Sequence, residues 1–161
     1  MQPEDSPRNY GNIMILLPES VHQELAGTFA GLMDLYERNY ISIRRLVPVM
    51  PPARTCLVSQ VPGGLDLHLE VIERFRYTTE LSLTYYFVRS EGRAAEPDLC
   101  LRVYHDARLA EVMSGHLRYW PAFQIAEEAV GSGHLRTRWH INRFLYKWLG
   151  YCLHQGHRFS G

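Results

Sequence analysis

Between Pro48 and Pro52 the chain changes its hydrophobic period, and this constrains the fold more than any other feature. Before the proline-rich stretch, Leu25, Phe29, Leu32, Tyr36, Tyr40, Ile43 and Val47 recur at three- and four-residue steps. That spacing puts them on one face of a helix, which Pro48 ends. After it the period is two. Leu65, Leu67, Leu69 and Val71 alternate with Asp66, His68, Glu70 and Ile72. Leu81, Leu83, Tyr85 and Phe87 alternate with Glu80, Ser82, Thr84 and Tyr86. Leu99, Leu101, Val103 and His105 alternate with Cys100, Arg102, Tyr104 and Asp106. Side chains along a strand point to opposite faces, so each run has an apolar side and a polar side. Residues 55–61 and a weaker run from Ala110 to about Tyr119 bring the strands to about five. The turns are too short for crossover helices, which predicts an antiparallel meander.

The helical period then returns. Ile141, Phe144, Leu145, Trp148, Leu149, Cys152 and Leu153 form a second apolar stripe, with Thr137 as its cap and Gly156 as its stop. Upstream, Ser20-Val21-His22-Gln23 has the form of a capping box, but Gly27 and Gly31 place the firm part of the first helix near Thr28. Residues 121–136 show no sustained period, and Gly131-Ser132-Gly133 reads as a flexible loop. Two amphipathic helices each need an apolar surface, and the sheet offers one. The expected architecture is a two-layer α+β domain with the N-terminal and C-terminal helices on the same sheet face. Residues 1–18 read as a loose extension and 19–157 as a single domain.

Composition narrows the function classes. Lys plus Arg equals Asp plus Glu at 17 each, so no global charge draws the chain to nucleic acid or anionic lipid. Nucleic acid is therefore not the favoured partner, and a membrane is not expected. The apolar run Ile13–Leu17 is short, follows acidic residues and stops at Pro18, unlike a signal peptide. Cys56, Cys100 and Cys152 form no C-x-x-C pair, which suits a reducing cytoplasm. No phosphate-binding glycine loop, dinucleotide fingerprint, nucleophile elbow or H-E-x-x-H motif occurs, and no cofactor is expected.

Three groups of residues remain as candidates. His105, Asp106 and Glu111 offer an imidazole and two carboxylates at a strand end, as acid–base chemistry or a metal would need. Alternation sends His105 and Asp106 to opposite faces, however, and turn formation by Asp106 accounts for much of the motif. The run Arg74-Phe75-Arg76-Tyr77-Thr78-Thr79 combines guanidiniums and rings suited to phosphate or RNA, with Arg76 and Tyr77 foremost. The plainer expectation is that its arginines pair with Glu70, Glu73 or Glu80. The third group is the polar sheet face: His68, Glu70, Tyr86, Arg102 and Tyr104 on one platform, fit for a ligand, a partner or a homodimer. Cys152-Leu153-His154-Gln155-Gly156-His157 lacks a fourth ligand, so no metal is expected.

Several co-linear motifs also carry a family resemblance. They are Glu37, Asn39-Tyr40, Arg44-Arg45-Leu46 and Pro48; Arg76-Tyr77-Thr78-Thr79; Arg102, Tyr104-His105-Asp106-Ala107 and Ala110-Glu111-Val112. The last set is Ile141-Asn142, Phe144-Leu145, Trp148-Leu149, Tyr151-Cys152-Leu153 and Gly156. Over roughly residues 30–156 the chain resembles the YqiB-like family of small bacterial proteins, a domain of unknown function. The resemblance implies a cytoplasmic bacterial protein whose gene often lies near those of nucleotide-cleaving enzymes. The family's link before its last helix is rich in Tyr, Pro and Asn, where this chain has Gln124-Ile125-Ala126-Glu127-Glu128. Together these readings point to a non-enzymatic binding or adaptor domain using its polar sheet face for a protein or small-molecule partner. The alternatives are a small enzyme acting on nucleotides or phosphoesters, and an RNA-binding module.

Overall fold

A computed structural model describes residues 27–117, 120–124 and 132–160. The elements run α1 (Phe29–Leu46), β1 (Thr55–Ser59), β2 (Leu67–Arg74), β3 (Thr78–Arg89), β4 (Gly92–Tyr104), β5 (Leu109–Leu117), β6 (Trp120–Gln124) and α2 (Ser132–His154). Thr28 caps α1, its hydroxyl oxygen accepting from the Gly31 amide at 3.0 Å. The helix thus begins where the glycines place its firm part. The Ser20 capping box and the extension over 1–18 lie outside the described residues.

The strands form one sheet in the order β1-β2-β3-β4-β5-β6, each neighbour antiparallel. The expected meander is there, and β6 adds a short sixth strand from the segment read as aperiodic. Its residues, Trp120-Pro121-Ala122-Phe123-Gln124, run apolar types together around a proline and do not alternate. β4 also starts seven residues ahead of Leu99, because Gly92 pairs with Arg89 across a tight turn. Residues 92–98 (GRAAEPD) carry no apolar alternation, so the period marks the strand only from Leu99.

The second helix corrects the reading of its start. It begins at Ser132, inside the stretch taken for a flexible loop, so Thr137 lies within the helix and does not cap it. Its end is as expected. Gly156 takes φ +95°, the His157 amide donates to the Cys152 carbonyl at 3.0 Å, and the Gly156 amide to Leu153 at 3.1 Å. These paired bonds satisfy carbonyls that the helix terminus leaves open, and the positive φ favours a residue without Cβ.

Both helices cover one sheet face. Leu67, Leu69, Leu83, Leu99, Leu101 and Val103 of the sheet are fully or almost fully buried against Ile43, Leu46, Ile141, Leu145, Trp148 and Leu149. The helices run in the same direction: Leu35 and Tyr36 cluster with Trp139, while three residues further along each, Asn39 meets Asn142. Asn142 ties the layers together. Its Oδ1 accepts from the Val112 amide at 3.0 Å, beside the bulge where β5 carries the extra residue Met113. Its Nδ2 donates to the Arg138 carbonyl at 2.8 Å, and Asn39 Nδ2 donates to the Asn142 carbonyl at 3.3 Å. Beyond the helix, the Phe159 amide donates to the Leu46 carbonyl at 2.8 Å and its ring enters the core.

Candidate functional site

The sheet face opposite the helices is polar and braced across strands. On β3 and β4, Arg102 Nε and Nη2 donate to Glu80 Oε1 at 3.1 and 2.8 Å. The register places these two residues directly opposite each other, so the pair is a product of strand alignment. Beside it, the Tyr104 hydroxyl donates to Glu111 Oε1 at 2.7 Å, and Arg138 of α2 approaches Glu111 Oε2 at 3.6 Å. Burial first, then the Glu111 carboxylate, push the Tyr104 phenol up. Tyr36 of α1 also lies by Glu111, without a well-formed hydrogen bond, and burial raises its phenol strongly. Glu111 is therefore a buried link between the polar face and the two helices.

At the middle of the face, Thr84 donates to Asp98 Oδ1 at 2.7 Å and Ser82 to the same oxygen at 3.4 Å. Farther along, the Arg93 guanidinium sits 3.7 Å from the centre of the Tyr86 ring. The same ring meets His68 edge-on at 4.7 Å, and Arg93 Nη2 lies 3.3 Å from His68 Nε2. Partial burial and the Arg93 charge lower the His68 pKa. Tyr86 is thereby held against a cation and an imidazole that also touch each other. Glu70 is exposed on the same face.

The remaining candidates lie at the end of the sheet and are not brought together with Glu111. His105 faces the covered side, its Nε2 2.7 Å from the Thr79 hydroxyl. Burial, then Arg74 and Arg44, lower its pKa. Asp106 is exposed in the turn that joins β4 to β5. Arg76 lies over the Tyr77 ring at 5.0 Å. The expected pairing of Arg74 and Arg76 with Glu70, Glu73 or Glu80 does not occur. Glu80 is engaged by Arg102, and Arg74 Nη1 donates to the Met50 and Pro51 carbonyls at 3.0 and 3.4 Å.

Among the described residues, no three His, Cys, Asp or Glu side chains gather as a metal site requires. Cys152 is buried 3.5 Å from the Tyr85 hydroxyl, and burial pushes its thiol up to about 12. His157 instead meets Ser59 through Nδ1 at 3.0 Å, while His154 is exposed. The residues that sequence reasoning missed are Arg93, Glu80, Asp98, Arg138 and Tyr36. Arg93 lay in a stretch without alternation, and only the hairpin register places it diagonally across from Tyr86.

Fold and surface together define a two-layer α+β protein in which, among the described residues, no helix covers the polar face of the antiparallel sheet. The chain belongs to the family described as "Protein of unknown function (DUF1249)", whose model matches residues 42–158. It is similar to "Uncharacterized protein YqiB" of Escherichia coli strain K12 and to the protein of that name in Escherichia coli O157:H7. Each is 33% identical over 132 residues, which cover 80% of this chain and 90% of the relative. The resemblance carried by the motifs is thus shown at the level of the family. No solved structure matches the chain. No helix among the described residues is long and apolar enough to cross a membrane. Residues 125–128 of the link before the last helix lie outside the described residues.

Proposed function

We propose that this is a non-enzymatic binding domain of the bacterial cytoplasm, and that its open sheet face docks a partner protein. The observation that carries this reading is Tyr86, pre-positioned on the face by its contacts with Arg93 and His68. Tyrosine and arginine are the residue types that concentrate binding energy at protein interfaces. A side chain already held in one orientation loses less entropy on binding. A broad sheet also suits a protein surface better than a small ligand, which needs a concavity. The free thiols Cys56, Cys100 and Cys152 fit a reducing compartment.

The enzyme alternative is less well supported. His105 bonds Thr79 on the covered side, Glu111 bonds Tyr104 on the open side, and Arg76 stacks on its neighbour Tyr77. Acid–base work needs such groups within reach of one reacting atom. Comparative co-purification from the native host tests the proposal, using the wild type and a Tyr86→Ala, Arg93→Glu double variant. A stoichiometric protein lost only from the double variant is expected. Retention of every partner by that variant would sink the proposal, and concentration-dependent dimerisation lost with it would make the partner a second copy.

A further inference from the structure

The geometry points to a second binding site, for single-stranded nucleic acid, on the sheet end formed by the β2–β3 and β4–β5 turns; we infer it independently of the open face. An antiparallel meander brings the start of β1, the end of β2, the start of β3, the end of β4 and the start of β5 to one rim. Four strand spacings make that rim roughly 19 Å wide. Its parts are fastened to one another. The His105 amide donates to the Tyr77 carbonyl at 2.8 Å, joining the two turns. Phe75 closes its own turn onto the Thr78 carbonyl at 2.7 Å, and Arg54 donates its amide to Val71 at 2.7 Å.

This rim concentrates positive charge in a chain whose total is zero. Arg54, Arg74, Arg76 and Arg108 are exposed on it, and Arg44 of α1 is close enough to act on His105. The exposed carboxylates in the same strand ends and turns are Glu73 and Asp106. Ion pairs among the described residues join Arg38 to Asp34, Arg89 to Glu96, Arg102 to Glu80 and Arg138 to Glu111. None of them uses a rim arginine. Arg54, Arg76 and Arg108, left without carboxylates, are available to phosphates, while Arg74 is anchored on the Met50 and Pro51 carbonyls; arginine forks match phosphate geometry.

The rings decide the class of ligand. Phe75 is 58% exposed and Tyr77 50%, an unusual degree for two large rings on one short turn. Arg74 and Arg76 alternate with them, and Arg76 already lies over Tyr77. Bases stack on such rings while guanidiniums follow the backbone, which is how single strands are held without sequence preference. A phosphopeptide would use the cations and leave the rings idle. An anionic membrane would use both, so it is an explicit arm of the test.

The test is fluorescence anisotropy of a labelled twelve-nucleotide oligouridylate with the full chain at 50 and 200 mM NaCl. Binding is expected to fall with salt, with a logarithmic slope of about −2 to −3 for three to four phosphates. Arg76→Glu with Tyr77→Ala should weaken it at least tenfold, and Arg44→Glu severalfold. Arg93→Glu, on the other site, should leave it unchanged. The substituted side chains are exposed, and unchanged melting temperatures verify the fold. No binding at 50 mM salt overturns the inference, as does equal affinity of all variants. Equal affinity for a duplex removes the role of the rings. Binding to vesicles of three parts phosphatidylcholine to one part phosphatidylglycerol without oligonucleotide binding reassigns the rim to lipid.

Discussion

On its covered face the sheet carries Leu67, Leu69, Leu83, Leu99, Leu101 and Val103 under two helices, while its open face carries Glu80, Arg102, Thr84, Asp98, Tyr86 and Arg93. Both sets are rows of neighbours on the same strands, yet they contribute to different properties. The covered rows remove apolar area from water, the dominant favourable term in folding. The open rows hold the partly solvated Arg102–Glu80 pair, which nets little, beside a buried Thr84 that bonds Asp98. Stability should therefore reside on one side and recognition on the other.

The sharpest way to break this contrast is to remove Trp148, which packs on Tyr85 with ring centres 5.7 Å apart and stacks on Phe144. Trp148→Ala should cost about 3–5 kcal/mol in a denaturant melt. A loss below 1 kcal/mol on the order of a surface substitution would mean the covered face is not the stabilising one. Next comes Asn142→Ala, expected to cost about 1–3 kcal/mol by leaving the Val112 amide without its acceptor. A double-mutant cycle with Asn39→Ala should reveal coupling, since Asn39 Nδ2 also lies 3.5 Å from Asn142 Oδ1. Additive losses would show that they act separately.

On the open face, Arg102→Ala should cost at most about 1 kcal/mol, and less at high salt, because the pair with Glu80 is partly solvated. A larger, salt-independent loss would show that the open face also carries the fold. The smallest expected effect is on pH dependence. His68, His105 and His157 all have pKa values lowered from the ordinary one, in each case chiefly by burial. As pH falls below about 6.5, the unfolded chain binds protons before the folded one does. This contribution to stability is full above that value and is lost as pH falls toward the lowered folded values. Melting temperature should decline from pH 6.5 to 5, and His157→Gln should flatten part of the decline. A rise in stability over that interval would contradict it.

Much of the fold was legible because burial imposes period. Leu81, Leu83 and Tyr85 alternate because one side of β3 meets the helices, and Ile141, Leu145 and Leu149 recur because one side of α2 meets the sheet. Where an element is built of small, polar or proline residues, the period vanishes. That is why alternation marks β4 only from Leu99, and why residues 121–124 of β6 and the first turn of α2 show no period. The site was less legible for the same reason. Arg102 and Tyr104 were on the page, but Arg93 could be assigned to Tyr86 only by the hairpin register.

The amino-acid sequence alone determined the antiparallel meander, the two helices and the division of the strands into an apolar and a polar side, since all three follow from local periodicity. Only the tertiary structure decided which charges meet. Glu80 pairs with Arg102 across strands and not with the arginines of the nearby turn, and Glu111 reaches Arg138, 27 positions away, on a helix. Pairing depends on register and on the approach of distant elements, which no local spacing encodes. The exposed arginines of the rim, without carboxylate partners among the described residues, are the outcome of that competition.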